Sequence, residues 1–428
     1  MVKRRSRRDL IQNSIIALLA VSAIGLFAQS QLYSLGLSAG SDYLSRLTGT
    51  PDVELGVLPH QHPNLVAPVR VAVTGTYGRY GNIALTTDDQ EFEPLGTLLG
   101  EVLGSARVFL PSTERAFLDA LSTGSSVYYD FTTSLPLSVL AGLMGVALPE
   151  DSLFARRLVV ADSDSGQVSL YLGDEENGYL QCATAVSRES LQTTINSYEM
   201  GGASFAMDDA LPDSGRLAPL SLFPEAVDPQ SLPVLTATSA LGSTDWLLSA
   251  LNFNPRTNLR YVEADGTEVI VEGERSVRIG SGGHILYQSG GEQILTVSPL
   301  TNPTLQEAAS GASQLLTTLT GADSGEASLY LSGAVQEEGR TILTFDYNVD
   351  GIPVCFSDSV PAAELTLVGS AVSELSLRFR QYTGTGQPSL LLPLPQAMAV
   401  AALQDHPELI IGYEDRGSET VSAQWLGM

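Results

Sequence analysis

Arg340-Thr-Ile-Leu-Thr-Phe-Asp-Tyr-Asn-Val349 runs into Asp350-Gly351 and then Ile352-Pro-Val-Cys-Phe356. Leu343, Phe345, Tyr347 and Val349 alternate with Thr344, Asp346 and Asn348. That period of two puts the apolar side chains on one face of a strand. Asp-Gly is turn chemistry, so the stretch predicts two strands folded back on each other with one face buried.

The same grammar extends in both directions. Downstream, Leu375, Leu377 and Phe379 alternate with Ser376, Arg378 and Arg380, residues 396–404 suit a helix, and 409–413 can pair with 420–425. Upstream, 304–319 predicts the helix that opens this unit. Before it, a helix over 244–251 leads into short strands at 258–263, 268–272, 276–279 and 284–288, separated by Asp265-Gly266, Glu272-Gly273 and a run of glycines. Short apolar runs punctuated by turns read as an antiparallel meander. Nearer the N-terminus, a strand over 69–74 precedes helices near 93–103 and 117–121. The β-rich run 126–131 leads to a short helix that Pro136 can open, and strands follow at 157–161, 168–172 and 179–183. The fold class is α+β, mainly antiparallel, with short helices.

Residues 1–9 are a basic head, 10–37 an apolar segment and 38–66 a Pro-containing connector. An N-terminal α+β domain over 67–206 and a Pro-, Asp- and Ser-rich linker over 207–233 follow. The chain ends in a central helix-plus-meander domain, 234–300, and a C-terminal α+β domain, 301–428. The last two share a helix-then-meander order that a duplication would produce.

Lys3, Arg4, Arg5, Arg7 and Arg8 precede a stretch, 10–41, without a formal charge. A helix needs about 20 apolar residues to cross a bilayer, and the basic cluster would hold its start in the cytoplasm. A cleaved signal peptide is the rival reading. Its cleavage site fits poorly, because with Ala28 at the −1 position the large Leu26 falls at −3, and Leu37 stands in the same relation to Ala39; only Ser38-Ala39-Gly40 is small throughout. We therefore expect a retained, single-pass transmembrane helix in the cell membrane, with residues beyond it extracytoplasmic. Within it Ser22, Gly25 and Gln29 share one helical face, where small and polar residues favour a helix–helix contact.

Composition excludes several chemistries. The 428-residue chain carries −26 overall and +4 over residues 1–9, leaving −30 beyond, which repels nucleic acid and anionic headgroups. Lys3 is the one lysine, so no Schiff base, Ser-x-x-Lys pair or phosphate-loop lysine can follow it. Cys182 and Cys355 sit in separate apolar runs and read as free, buried thiols.

No motif assembles a catalytic, cofactor or metal site. His60 and His62 lack a nearby third ligand, and His284 and His406 are isolated. The Asp162–Gly166 run (Asp-Ser-Asp-Ser-Gly) has its glycine one place early for a calcium loop and Gly173 where the closing glutamate belongs, so it reads as a hairpin turn. Gly75, Gly78 and Gly81 do not have dinucleotide spacing and read as a surface loop. Gly202-Ala-Ser-Phe-Ala206 lacks the last glycine of a nucleophile elbow. Asp245 reads as the cap of its helix and Glu337-Glu338 as a hairpin loop. A tethered binding domain for wall or small-molecule ligands would use an aromatic pocket, with Tyr77, Tyr80, Tyr128 and Trp246 as its candidates.

Several of these segments resemble one family. Tyr128-Tyr-Asp-Phe-Thr-Thr-Ser-Leu-Pro-Leu137 is similar to the aromatic-then-Leu-Pro segment of YycH proteins, and 260–266 through 283–287 to their central meander. Residues 346–354, 375–382, Gly412-Tyr413 and Gln424-Trp425 resemble the C-terminal unit that YycH shares with YycI. The resemblance spans essentially the whole chain, departing in its ending three residues after Trp425 and in its acidic, lysine-free character. It implies a non-enzymatic membrane protein without a cofactor that modulates a cell-wall-monitoring sensor histidine kinase of the WalK type. Its contacts would run through the anchor helix and the exported part, with a YycI-like co-regulator as a further partner.

Overall fold

Two large, mainly antiparallel sheets line one extended apolar core, with smaller apolar clusters beside it. The computed structural model describes residues 65–428 apart from 67–68, 123, 147, 149–152, 163–165, 175–176, 209–215, 225–231, 255, 257, 321–324, 338 and 404–406. The basic head, the apolar segment with Ser22, Gly25 and Gln29, most of the connector, His60, His62 and His406 therefore lie outside the described residues, as do the centres of the turns at 162–166 and 174–178.

The first sheet begins with β1 (Val69–Gly75), β2 (Gly78–Leu85), helix α1 (Glu93–Ser105), β3 (Leu110–Pro111), α2 (Glu114–Ser122) and β4 (Ser126–Pro136). It continues with α3 (Leu137–Leu143), β5 (Phe154–Asp162), β6 (Val168–Asp174), β7 (Gly178–Ala183) and α4 (Arg188–Asn196). Its strand order is β2-β1-β4-β5-β6-β7-β3, so the predicted three-strand meander is β5-β6-β7. Period-two alternation sends Tyr129, Val127, Leu158 and Val160 to one face and Tyr128, Val159 and Ala161 to the other. The second face is closed by Phe117 and Leu121 of α2 and by a short ribbon, β8 (Ala203–Phe205) with β9 (Leu222–Pro224). β4 is thus covered on both faces. The glycines read as a surface loop instead make a hairpin: Gly75 pairs with Gly78, and Gly81 lies inside β2 because Ala203 leaves no space for a Cβ there.

The second half adds β10 (Pro233–Thr238), α5 (Thr244–Ala250), β11 (Leu259–Val262), β12 (Glu268–Glu272), β13 (Arg275–Ile279) and β14 (His284–Gln288). Then come α6 (Leu305–Thr320), β15 (Ala327–Glu337), β16 (Arg340–Val349), β17 (Ile352–Phe356), β18 (Ala363–Val368), β19 (Ala371–Arg378) and β20 (Gln381–Pro388). The last elements are α7 (Leu394–Ala401), β21 (Leu409–Asp415), β22 (Thr420–Val421) and β23 (Ala423–Gly427). α6 opens with a reciprocal capping box between Thr304 and Glu307. At α5 the cap is Ser243, whose side chain accepts from the Trp246 N–H, whereas Asp245 pairs with Arg260.

The predicted central meander and the C-terminal strands belong to one eleven-stranded sheet, ordered β11-β12-β13-β14-β19-β18-β16-β17-β21-β23, with β15 on the other edge of β16. Residue pairs such as Ile285↔Leu377 cross the division expected at 300/301. β10, just beyond the expected linker, pairs with β20 and β22 in a three-stranded sheet. Residues 59–428 cluster as one unit through such ladders, which local turn signals do not encode. The β17–β21 pair is parallel; the other named strand pairs are antiparallel.

Candidate functional site

Where the first sheet meets the C-terminal strands, five charged side chains gather with almost no access to water. Arg70 comes from β1, Asp130 from β4, Arg156 and Arg157 from β5, and Glu408 from the residue before β21. Because β4 is sandwiched, a charge at its fifth position has to be buried. Arg70 reaches both acids, Nη2 to Asp130 Oδ2 at 3.1 Å and Nη1 to Glu408 Oε1 at 3.1 Å. Arg156 Nε approaches Asp130 Oδ1 at 3.2 Å, and Arg157 Nη2 approaches Glu408 Oε2 at 2.9 Å. Glu408 is fixed in turn by reciprocal backbone bonds with Met428. All three cations are arginine, whose planar fork can bridge two carboxylates at once.

Burial would raise the Asp130 pKa, but the guanidiniums of Arg156, Arg70 and Arg157 and the Thr132 N–H outweigh it and hold the carboxyl well below the usual range. Thr132 belongs to a bulge, where 131–134 oppose Arg156, and adopts φ 63°. The bulge turns its N–H onto Asp130 Oδ1 at 2.8 Å. A clue to this cluster was present in the sequence as single charges inside apolar runs, Val-Arg-Val at 69–71 and Tyr-Tyr-Asp-Phe at 128–131, but a strand-by-strand reading cannot join them across 338 residues (70 to 408).

A second buried cluster is closed on itself. Arg380 grips Asp415 with Nε and Nη2 at 2.8 and 2.9 Å, Tyr382 donates to the same carboxylate at 2.7 Å, and the Gly417 N–H donates to it at 2.7 Å. It joins β20 to the end of β21 and has the geometry of a structural clamp.

Asp346 of β16 accepts from the Ala362 N–H at 3.0 Å, and burial raises its pKa. A raised folded pKa means a contribution that is present below the unfolded carboxyl range and lost as pH rises through the folded value. Asp346→Asn keeps the acceptor and removes the charge. It is expected to be neutral or stabilising by up to about 1 kcal/mol at pH 7–8, with the gain absent at pH 4, as read by urea titration at both pH values. Burial, Asp346 and Glu414 also push the Cys355 thiol up to about 11, so it is a poor nucleophile. Cys182 and Cys355 are both free.

The candidate aromatic residues are not brought together. Tyr77 projects from the β1–β2 turn, 93% exposed, Tyr80 packs against Tyr198 with the rings tilted, Tyr128 is fully buried against Phe205, and Trp246 is half-exposed on α5. His284 faces Ser376 at the surface. Among the described residues no group of three or more His, Cys, Asp or Glu is placed to hold a metal, and no helix is long and apolar enough to cross a membrane.

With this architecture in hand, comparison with solved structures finds the crystal structure of YycH from Bacillus subtilis. It superposes with a TM-score of 0.55 over 88% of this chain and 96% of that one, at 12% identity. The fold is YycH-like. No family model matches the sequence, and no curated protein matches it. The likeness to YycH therefore lies in how the strands are arranged, and it takes in both sheets rather than one module.

Proposed function

We propose that this protein is a membrane-anchored, extracytoplasmic, non-enzymatic regulator of a cell-wall-sensing histidine kinase of the WalK type, acting with a YycI-like co-regulator. The observation that carries the proposal is the YycH-like fold over nearly the full length of both chains. The basic head and the uncharged stretch 10–41 support it from the sequence. In this reading residues 10–37 span the cell membrane once, N-terminus inside. Ser22, Gly25 and Gln29 face a kinase helix, and the exported part makes the second contact. A regulator of this kind shifts the kinase only through different contacts with its two states.

The test is co-purification of the full chain with a two-helix sensor kinase, before and after residues 10–37 are replaced by an unrelated transmembrane helix. The swap is expected to cut recovery of the kinase at least tenfold. Unchanged recovery removes the anchor from the mechanism, and no recovery with either protein removes the kinase as partner.

A further inference from the structure

Beside β23, at one end of the eleven-stranded sheet, residues 390–403 make an exposed apolar face. We propose that this face inserts into the surface of the lipid bilayer, giving the exported part a second attachment; the inference rests on the reading of residues 10–37 as a membrane anchor. Leu390 is 92% exposed, Leu403 85%, Val400 60% and Leu392 51%. Single exposed leucines are ordinary, but four large apolar side chains within 14 residues are not. The backbone holds them out. Ser389 accepts from the Ala423 N–H at 2.9 Å and donates its own N–H to the Leu232 carbonyl at 2.7 Å, and the Trp425 indole N–H donates to the Leu392 carbonyl at 3.0 Å. Between these ties Leu391 turns toward the core while Leu390 and Leu392 face water. α7 is then apolar on both sides. Ala397, Met398 and Ala401 pack with Leu217, Phe223 and Leu409, and Ala399, Val400 and Leu403 form the outer stripe. The Leu403 N–H donates to the Val400 carbonyl at 3.2 Å, so a last turn extends that stripe. A helix apolar all round belongs in a core or in lipid.

Charge selects the occupant. Residues 381–404 contain no Asp, Glu, Lys or Arg, the longest such run beyond residue 41, in a chain that carries −30 after its basic head. An acidic domain is repelled by anionic headgroups, so it can approach a membrane only through a face that offers no carboxylate. Screening confines that repulsion to about 8–10 Å. A protein partner would draw on other residues. Between 390 and 403 there is no aromatic side chain and no arginine, the types that dominate protein–protein interfaces. Leucine, valine, alanine and proline gain by leaving water for the acyl boundary, which demands no matching shape. The connector, 38–66, reaches at most about 100 Å when fully extended. A domain tethered through it stays at high local concentration against the bilayer, and a shallow contact is then enough to hold it. Two attachments would present a fixed side of the exported part to the kinase.

The test uses the full chain in phosphatidylcholine vesicles with and without bromine on the acyl chains, where bromine quenches tryptophan at short range. Leu403→Trp puts a reporter on the face. Leu259→Trp puts one on β11, at a position 65% exposed and at the other end of the strand order from β23. Bromine is expected to cut the added emission at least about twofold for Leu403→Trp and by less than about a tenth for Leu259→Trp. Adding Leu390→Asp and Val400→Asp, both at exposed positions, to Leu403→Trp is expected to restore the emission. Flotation separates the two readings. A full chain that does not float with the vesicles ends the anchor reading and this inference with it, whereas a floating chain with an unquenched Leu403→Trp overturns this inference alone. A blue-shifted but unquenched tryptophan would give the face to a protein partner or a second copy. That result, equal quenching of the two reporters, or quenching that survives the two aspartates would each overturn the proposal as well.

Discussion

Asp130→Ala is expected to lower the unfolding free energy by about 3–5 kcal/mol, the range for stripping one partner from a buried ion pair. The carboxylate is 1% exposed and faces Arg70, Arg156 and Arg157, so its removal strips a shared acid from three guanidiniums and leaves their buried charge less compensated. No water can easily reach them, and the Thr132 N–H loses its acceptor as well. The surface pair Arg115–Asp119, at 3.7 Å with both side chains well exposed, is the contrast: Arg115→Ala is expected to change stability by less than about 0.5 kcal/mol. Urea titration of the three proteins measures both effects. The pH dependence adds a signature that lost packing cannot imitate. The folded pKa of Asp130 is depressed, so its contribution is complete above the unfolded carboxyl value of about 3.9 and disappears as pH falls toward the folded one. Asp130→Asn should therefore flatten the acid limb of the stability profile between about pH 4 and pH 2. A loss near 1 kcal/mol with an unchanged acid limb would mean that the cluster is solvated and structurally incidental.

How far the sequence foretold this architecture depends on whether a feature is local. β16 and its turn were legible because alternation and Asp-Gly lie within a dozen residues of each other. The meander β11 to β14 was legible for the same reason, as were α1, α2 and α5. β2 was not: Gly-Arg-Tyr-Gly-Asn-Ile-Ala-Leu has little strand propensity, and it is held as a strand by its ladder with β1 and by the β8–β9 ribbon against it. β15 passed unread although it pairs with the whole of β16, since its apolar residues are interrupted by Ser332 and Gly333, where the register slips. The joining of β14 to β19 makes one sheet of two expected domains, and nothing near either strand encodes it. The charge cluster is the extreme case, each member unremarkable alone and meaningful only once three strands and the C-terminal hairpin are superposed. The residues proposed for helix contact, Ser22, Gly25 and Gln29, lie outside the described part and rest on sequence alone.

Gly351→Ala is expected to cost at least about 3 kcal/mol, far more than turn geometry alone requires. Gly351 has φ 78° and its neighbour Asp350 φ 47°, the paired positive values of a two-residue hairpin turn in which Val349 pairs with Ile352. Placing a Cβ in this left-handed region costs about 1–2 kcal/mol. Gly339, at the β15–β16 hairpin, measures that part by itself: its φ is 81° and nothing stands within contact of a Cβ, so Gly339→Ala should lose only the conformational share. At Gly351 the added methyl would also overlap the backbone carbonyl of Ala84 on β2. Neither side can give way cheaply. β17 is fixed between β16 and its parallel partner β21, and the Ala84 N–H donates to the Asn82 side-chain oxygen on the same strand. Relief would have to part the turn from β2, opening the seam that Pro353 shares with Arg70 and the charge cluster. Urea titration of the two variants should therefore show the larger loss in Gly351→Ala. Equal losses in the two variants would show that the turn conformation, and not its contact with the first sheet, is what the glycine serves.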